Sequence, residues 1–278
     1  VLVIAIAFAL AWRGRAPDAT EMLWSMSIGL GGIVALQAIS WARRLLASYR
    51  ASGSAGSRQL DWRSWRHQSL LLWVSSIGSA TMQHADVVLV GLLLGETQAG
   101  IYAAASRTTQ LLQLVPTALT AVLIPQISRT ASEEGVLGLR KIVLVHNRIV
   151  FAPVVLAGLV ILAAPQLALA LFGPKFVDAI LPLQILTVGH VSAALCGPLA
   201  PICVGAGWQR AYAVATTSSV AILGLLQLLL APELGLVGAA LATATANALP
   251  ALALRYHLRR KVGIDTSALR DRRASGAR

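Results

Sequence analysis

In HADVVLVGLLLGETQAGIYAAASR, residues 84–107, an aspartate and an arginine sit at either end of an apolar run. A guanidinium matches a phosphate or a carboxylate, and a carboxylate takes up a proton or a cation. Polar residues accompany both charges at helical spacing. Ser76, Ser79, Gln83 and Asp86 follow at steps of three, four and three, and Arg107, Gln110 and Gln113 at steps of three. Each set is expected to form one stripe along its helix. Two such stripes facing one another would line a hydrated cavity. Gln184, Thr187 and His190, and then Thr243 and Asn247, are further candidates for the same lining.

The chain that must position these groups is 278 residues long, 56% hydrophobic and 12% charged. Its mean hydropathy is +0.71. A soluble domain carries about 25% charged residues. Half that charge, with long apolar runs, indicates an all-α, polytopic membrane helix bundle. A net charge of +12 in a soluble protein would point to nucleic acid. Here basic residues have another use, orienting membrane helices, and no nucleic-acid partner is expected. Cys196 and Cys203, about 10 Å apart along one helix, are beyond disulfide reach and are expected to be reduced.

A crossing needs roughly 20 apolar residues. Spans are expected at 22–46, 69–94, 101–126, 143–171, 180–204, 211–231 and 235–256, seven in full. Residues 1–12 read as an eighth, truncated span, so the chain is expected to lack its N-terminus. Residues 1–46 would then hold two helices of one group, 47–68 a cytoplasmic linker, 69–256 a six-helix lobe and 257–278 a basic cytoplasmic tail. Prolines 116, 153, 182, 198, 201 and 250 fall inside spans and predict kinks. Of the 23 Lys and Arg, all but Arg13, Arg15, Lys175 and the embedded Arg107 fall on one side of this alternation. That side is expected to be cytoplasmic, with the C-terminus on it.

The two charges can now be placed. Spans 69–94 and 101–126 form a hairpin whose turn is expected near Glu96–Thr97. Asp86 and Arg107 lie about ten residues to either side, at similar depth, and are expected to meet as a charge pair. Such a pair has two uses. It can be a static staple that fixes the hairpin register, or it can belong to a working cavity, the default reading for an intramembrane charge. His190 has the alternative of a packing histidine, and the Ser and Gln residues that of interhelical hydrogen bonds. The sequence has no G-x-x-x-x-G-K-[ST], H-E-x-x-H, G-x-S-x-G or cysteine cluster. Accordingly no cofactor, metal or enzymatic activity is expected.

Several segments carry a resemblance in their order and spacing. ADVVLVGLLLGETQAGIYAAASR (85–107) precedes IPQIS (124–128), then LFGPKFVDAILPLQIL (171–186) and GLVGAALATATANAL (235–249). Together they resemble the C-terminal half of polysaccharide, or O-antigen, flippases of the multidrug/oligosaccharidyl-lipid/polysaccharide exporter superfamily. The resemblance implies two six-helix lobes around a cavity that opens to alternate sides of the bacterial inner membrane. It implies a lipid-linked substrate, an undecaprenyl-pyrophosphate oligosaccharide. A polysaccharide polymerase and glycosyltransferases would be functional partners.

On that reading Arg107 would contact the pyrophosphate, and Gln83, Gln110 and Gln113 the sugar hydroxyls. Asp86 would hold Arg107 or take a coupling proton or sodium ion. The rivals are an ion-driven multidrug exporter, a peptidoglycan-precursor flippase, a membrane-embedded sugar transferase or polymerase, and a structural assembly partner. An exporter of organic cations would favour acidic and aromatic lining, whereas here one acid balances one base. The short external loops argue against a transferase.

Overall fold

The computed structural model describes residues 19–51, 62–170 and 172–262. Their elements are all helical: α1 (Ala19–Ala51), α2 (Trp62–Leu94), α3 (Glu96–Gln110), α4 (Leu114–Glu133), α5 (Gly135–Ala163), α6 (Pro165–Ala170), α7 (Ile180–Ala194), α8 (Leu199–Gly205) and α9 (Gln209–Val262). Two 3-10 segments, Leu111–Gln113 and Pro174–Ala179, interrupt the series.

The chain divides into two units, Val1–Leu60 and Asp61–Arg278. In the first, α1 covers the span expected at 22–46, and Ile28, Ile33, Leu36 and Ile39 are exposed along it. The truncated span at 1–12 lies outside the described residues. So does the middle of the expected linker, 52–61, while its two ends are helical parts of α1 and α2.

The second unit is a bundle. Five stretches are long and apolar enough to cross a membrane: Arg66–Leu94, Glu96–Glu133, Lys141–Ala163, Phe176–Gly205 and Gln209–Arg260. Many of their large apolar side chains, such as Leu92, Leu111, Leu156 and Leu225, are exposed. A bundle that turns Leu outward is built for lipid, where burial in protein brings no hydrophobic gain. The protein is therefore a multi-pass membrane protein.

The last stretch, 52 residues, would measure about 78 Å as one straight helix, more than twice the ~30 Å hydrocarbon core. It is broken at Gly235, with φ 59° and ψ −137°. Gln227, before the break, donates to the main-chain oxygen of Asp86 at 3.0 Å. Thr243, after it, bonds Tyr102 at 2.9 Å, one turn of α3 away from Asp86's partner Ser106. In an unbroken helix residues 227 and 243 would stand about 24 Å apart. The chain therefore folds back at Gly235, as the separate spans 211–231 and 235–256 require.

Several boundaries differ from expectation. The connection expected at 127–142 shrinks to a turn at Glu134 and Gly135, the latter with φ +64°. Helix α4 runs on to Glu133, and within that extension Arg129 bridges Glu133 at 2.9 Å, four residues on. The span expected at 143–171 ends at Ala164, which leaves helical geometry (φ −136°, ψ 61°). Pro165 follows, and a residue before proline is pushed out of the α region. The span at 180–204 breaks at Gly197–Pro198, where Gly197 has φ +81°. Pro116 follows the 3-10 segment that tightens the helix between α3 and α4.

Two buried clusters hold the bundle. One contains Val90, Tyr102, Leu112, Leu183, Leu186 and Ala239. The other contains Ile127, Val143, Cys196, Ile202, Cys203 and Leu254. Neither cysteine is in a disulfide, as expected. Small residues bring the helices close: a β-carbon on Gly189 of α7 would lie 2.7 Å from that of Ala244 in α9.

Candidate functional site

Between these clusters lies a cavity of about 670 Å³. Its walls touch both of them, through Leu112 and Leu186 at one end and Leu199 and Leu254 at the other. Helix α2 contributes Ser79, Gln83 and Asp86, and α3 with its 3-10 continuation Ser106, Gln110 and Gln113. Helix α5 adds His146 and Asn147, α7 His190, and α9 Tyr212, Thr216, Ser219, Thr243 and Asn247.

Asp86 is 2% exposed. Its carboxylate accepts from the Ser106 hydroxyl at 3.0 Å and from the Val87 N–H at 2.8 Å. Its main-chain oxygen accepts the Gln227 amide. Gln227 is fully buried, and its Oε1 has no partner. Next along the wall, Gln110 Nε2 donates to the main-chain oxygen of Gln83 at 3.3 Å. Gln113 Nε2 donates to His190 Nδ1 at 3.0 Å, which joins α7 to the 3-10 segment. Ser79 and Tyr212 bond across α2 and α9 at 3.3 Å. Among the described residues, the polar part of the wall is thus amide, hydroxyl and imidazole around a single carboxylate, and the larger part is apolar, with Leu112, Val150, Phe151, Val154 and Leu254 between the polar groups.

The expected charge pair is not made. Arg107 is exposed, lies outside the cavity lining, and donates from Nη1 to Gln110 Oε1 at 2.9 Å. Both charges do lie at similar depth, as the hairpin geometry requires. The helix rotation between neighbours decides the partner: Ser106 faces α2, and Arg107 is turned about 100° away from it.

The same rotation corrects three other assignments. Ser76 is exposed and absent from the lining, about 80° round α2 from Asp86 at 100° per residue. Thr187 is fully buried in helix packing and bonds the Leu183 carbonyl at 2.7 Å. Gln184 lines a different, largely apolar groove between α7 and α9. Steps of three drift back about 60° each, so Gln184 and His190 end about 120° apart and face different spaces. Ser79, Gln83, Gln110, Gln113, His190 and Asn247 do come together in the cavity.

His146, Asn147, Ser106 and Tyr212 join them without having been among the sequence candidates. For Tyr212, Thr216 and Ser219 the signal was present, at steps of four and three. His146 and Asn147 carry no such stripe. No group of three or more metal-ligating side chains occurs among the described residues.

Residues 62–181 match the family model described as polysaccharide biosynthesis protein. The matched segment holds α2 to α6 and so includes Ser79, Gln83, Asp86, Ser106, Gln110, Gln113, His146 and Asn147 of the cavity wall. The match suggests a role in polysaccharide synthesis or export. No curated protein and no solved structure matches the chain.

Proposed function

We propose that the protein is a flippase, not an enzyme, that moves a lipid-linked oligosaccharide across the bacterial cytoplasmic membrane for polysaccharide export. The observation that carries this reading is a cavity with amide, hydroxyl and imidazole groups set in its wall, inside a lipid-facing bundle, partly on a segment matching polysaccharide biosynthesis proteins. A sugar head cannot cross hydrocarbon unaided, because each of its hydroxyls would lose its hydrogen bonds. A wet groove of amides and hydroxyls supplies replacements while the lipid tail stays in the bilayer. The volume lies within the roughly 300–1,000 Å³ of ligand-burying pockets. Asp86, buried on the cavity wall, is assigned the coupling role, taking a proton or a sodium ion. The basic side, with the C-terminus, is cytoplasmic. Glycosyltransferases deliver the substrate on that side, and a polymerase receives it on the other.

One observation favours a second reading. Asp86 stands on the wall with no Lys or Arg among the described lining residues, and Tyr212 and Phe151 line the same space. A carboxylate near aromatic rings suits an organic cation, the substrate of a multidrug exporter. The family match weighs toward the glycan.

Deleting the gene in its host separates these readings. A flippase predicts lipid-linked oligosaccharide accumulating in the inner leaflet, inaccessible to an external glycosidase. Loss of polysaccharide without any lipid-linked precursor would mean a synthetic role. Hypersensitivity to cationic drugs with normal polysaccharide would mean drug export.

A further inference from the structure

We infer that this cavity wall binds the uncharged sugars of a glycan and discriminates against anionic ones, so that the phosphate of a lipid-linked substrate is held outside it. The inference rests on the flippase reading and specifies what that site takes.

Among the described lining residues the only carboxylate is that of Asp86, and no Lys or Arg stands among them. The nearby cation, Arg107, is off the wall and donates to Gln110. The remaining polar lining is of groups that both donate and accept, such as Gln83, Gln113 and Asn247. A sugar hydroxyl also does both, so it can use either end of an amide. The carboxylate of a uronate, like an ionised phosphate, only accepts. Among the described residues of this wall an anion finds amide, hydroxyl and imidazole donors but no guanidinium or ammonium, and charge-assisted bonds are the strong ones for such groups. It also meets Asp86, whose two oxygens already accept from Ser106 and Val87 and offer an anion no donor. Whenever Asp86 is ionised, like charges repel more strongly between these largely apolar walls than in water.

The test is equilibrium binding to the purified 278-residue chain in lipid nanodiscs, read by isothermal calorimetry. The probes are maltotetraose, which is neutral, and tetragalacturonate, which carries a carboxylate on every ring. Maltotetraose is expected to bind at least tenfold tighter. Inorganic pyrophosphate at the same concentration is expected not to displace it. Asp86→Asn should narrow the difference between the two glycans. A Gln113→Ala and Asn247→Ala double variant should weaken maltotetraose fivefold or more. The wild-type comparison needs no variant, so a variant that fails to fold leaves the test intact. Equal or tighter binding of tetragalacturonate, or displacement by pyrophosphate, would overturn the inference and leave the flippase reading standing. Binding of neither glycan would overturn both.

Discussion

The hydroxyl of Ser106 lies 3.0 Å from Oδ2 of Asp86, and Arg107, the next residue, donates to Gln110 instead. The hairpin of α2 and α3 is therefore joined at depth by a neutral donor on a carboxylate, not by an ion pair. Asp86 and Ser106 stand ten residues either side of Glu96, at the start of α3. Equal depth is what lets them meet, and helical phase is what excludes Arg107.

This arrangement predicts an order of stabilities. Ser106→Ala leaves a buried carboxylate one donor short and should cost about 1–2 kcal/mol. Arg107→Ala loses an exposed bond to a residue one turn away on its own helix and should cost less than about 0.5 kcal/mol. Thermal unfolding of the purified protein in detergent, compared across the two variants, measures this. Arg107→Ala as the more damaging change would restore the ion pair.

The glycines of the bundle divide in the same testable way. A methyl on Gly189 would stand 2.7 Å from Ala244 Cβ and 2.8 Å from its Cα. The obstacle includes main chain, so α7 and α9 must move apart, and Gly189→Ala should destabilise by about 1–3 kcal/mol. Gly224, in the first half of α9, has nothing within 4 Å of the same position. Gly224→Ala should be neutral or gain up to ~1 kcal/mol from helix propensity. The midpoint of thermal unfolding should fall for the first and hold or rise for the second.

How much was legible beforehand follows from what a sequence encodes directly. Apolar runs mark crossings, so the bundle and most of its helices could be read from the letters. Depth is also readable, because it depends only on residue count from a turn; Asp86 and α3's polar residues fell at the right level. Helical phase is harder. Thr243 and Asn247, four apart, drift only about 40° and share a face, and both reach the cavity. Arg107 and Gln113, six apart, drift about 120° and do not. Which side of a stripe faces inward depends on the neighbours, and these come from elsewhere in the chain. His146 and Asn147 show the limit: nothing local marks that turn of α5 as facing the cavity.

Gln227 offers a test of the buried polar layer. Its Nε2 holds the Asp86 carbonyl, while its Oε1 lacks a partner. Gln227→Met removes one hydrogen bond and one orphaned acceptor together, so the two costs should nearly cancel, within about 1 kcal/mol. Gln227→Glu puts a second carboxylate beside Asp86 in a fully buried position and should destabilise by about 3 kcal/mol or more at neutral pH. Lowering the pH protonates the added acid, so the defect should shrink on acidification. Chemical denaturation of both variants at pH 5 and pH 7.5 checks the size and the direction. A tolerated Gln227→Glu at pH 7.5 would mean that this layer is open to water.

Water in the cavity itself is open to direct measurement, because the native cysteines are silent. Cys196 and Cys203 are both fully buried, so a membrane-impermeant maleimide, which needs a hydrated thiolate, should not reach them. New thiols then report their own surroundings. Asn247→Cys and Ser79→Cys point reporters at the cavity wall. Thr187→Cys sits in helix packing with no exposure, and Gln184→Cys lines the apolar groove on the far side of α7. In inverted and right-side-out membrane vesicles, the first pair should label at least tenfold faster than the second from whichever side the cavity opens. The contrast between Asn247 and Gln184, on different sides of the packing between α7 and α9, then becomes a contrast between water and lipid. Equal labelling of all four positions would mean a loosened bundle, and no labelling of any would mean a dry one with no passage for a polar head.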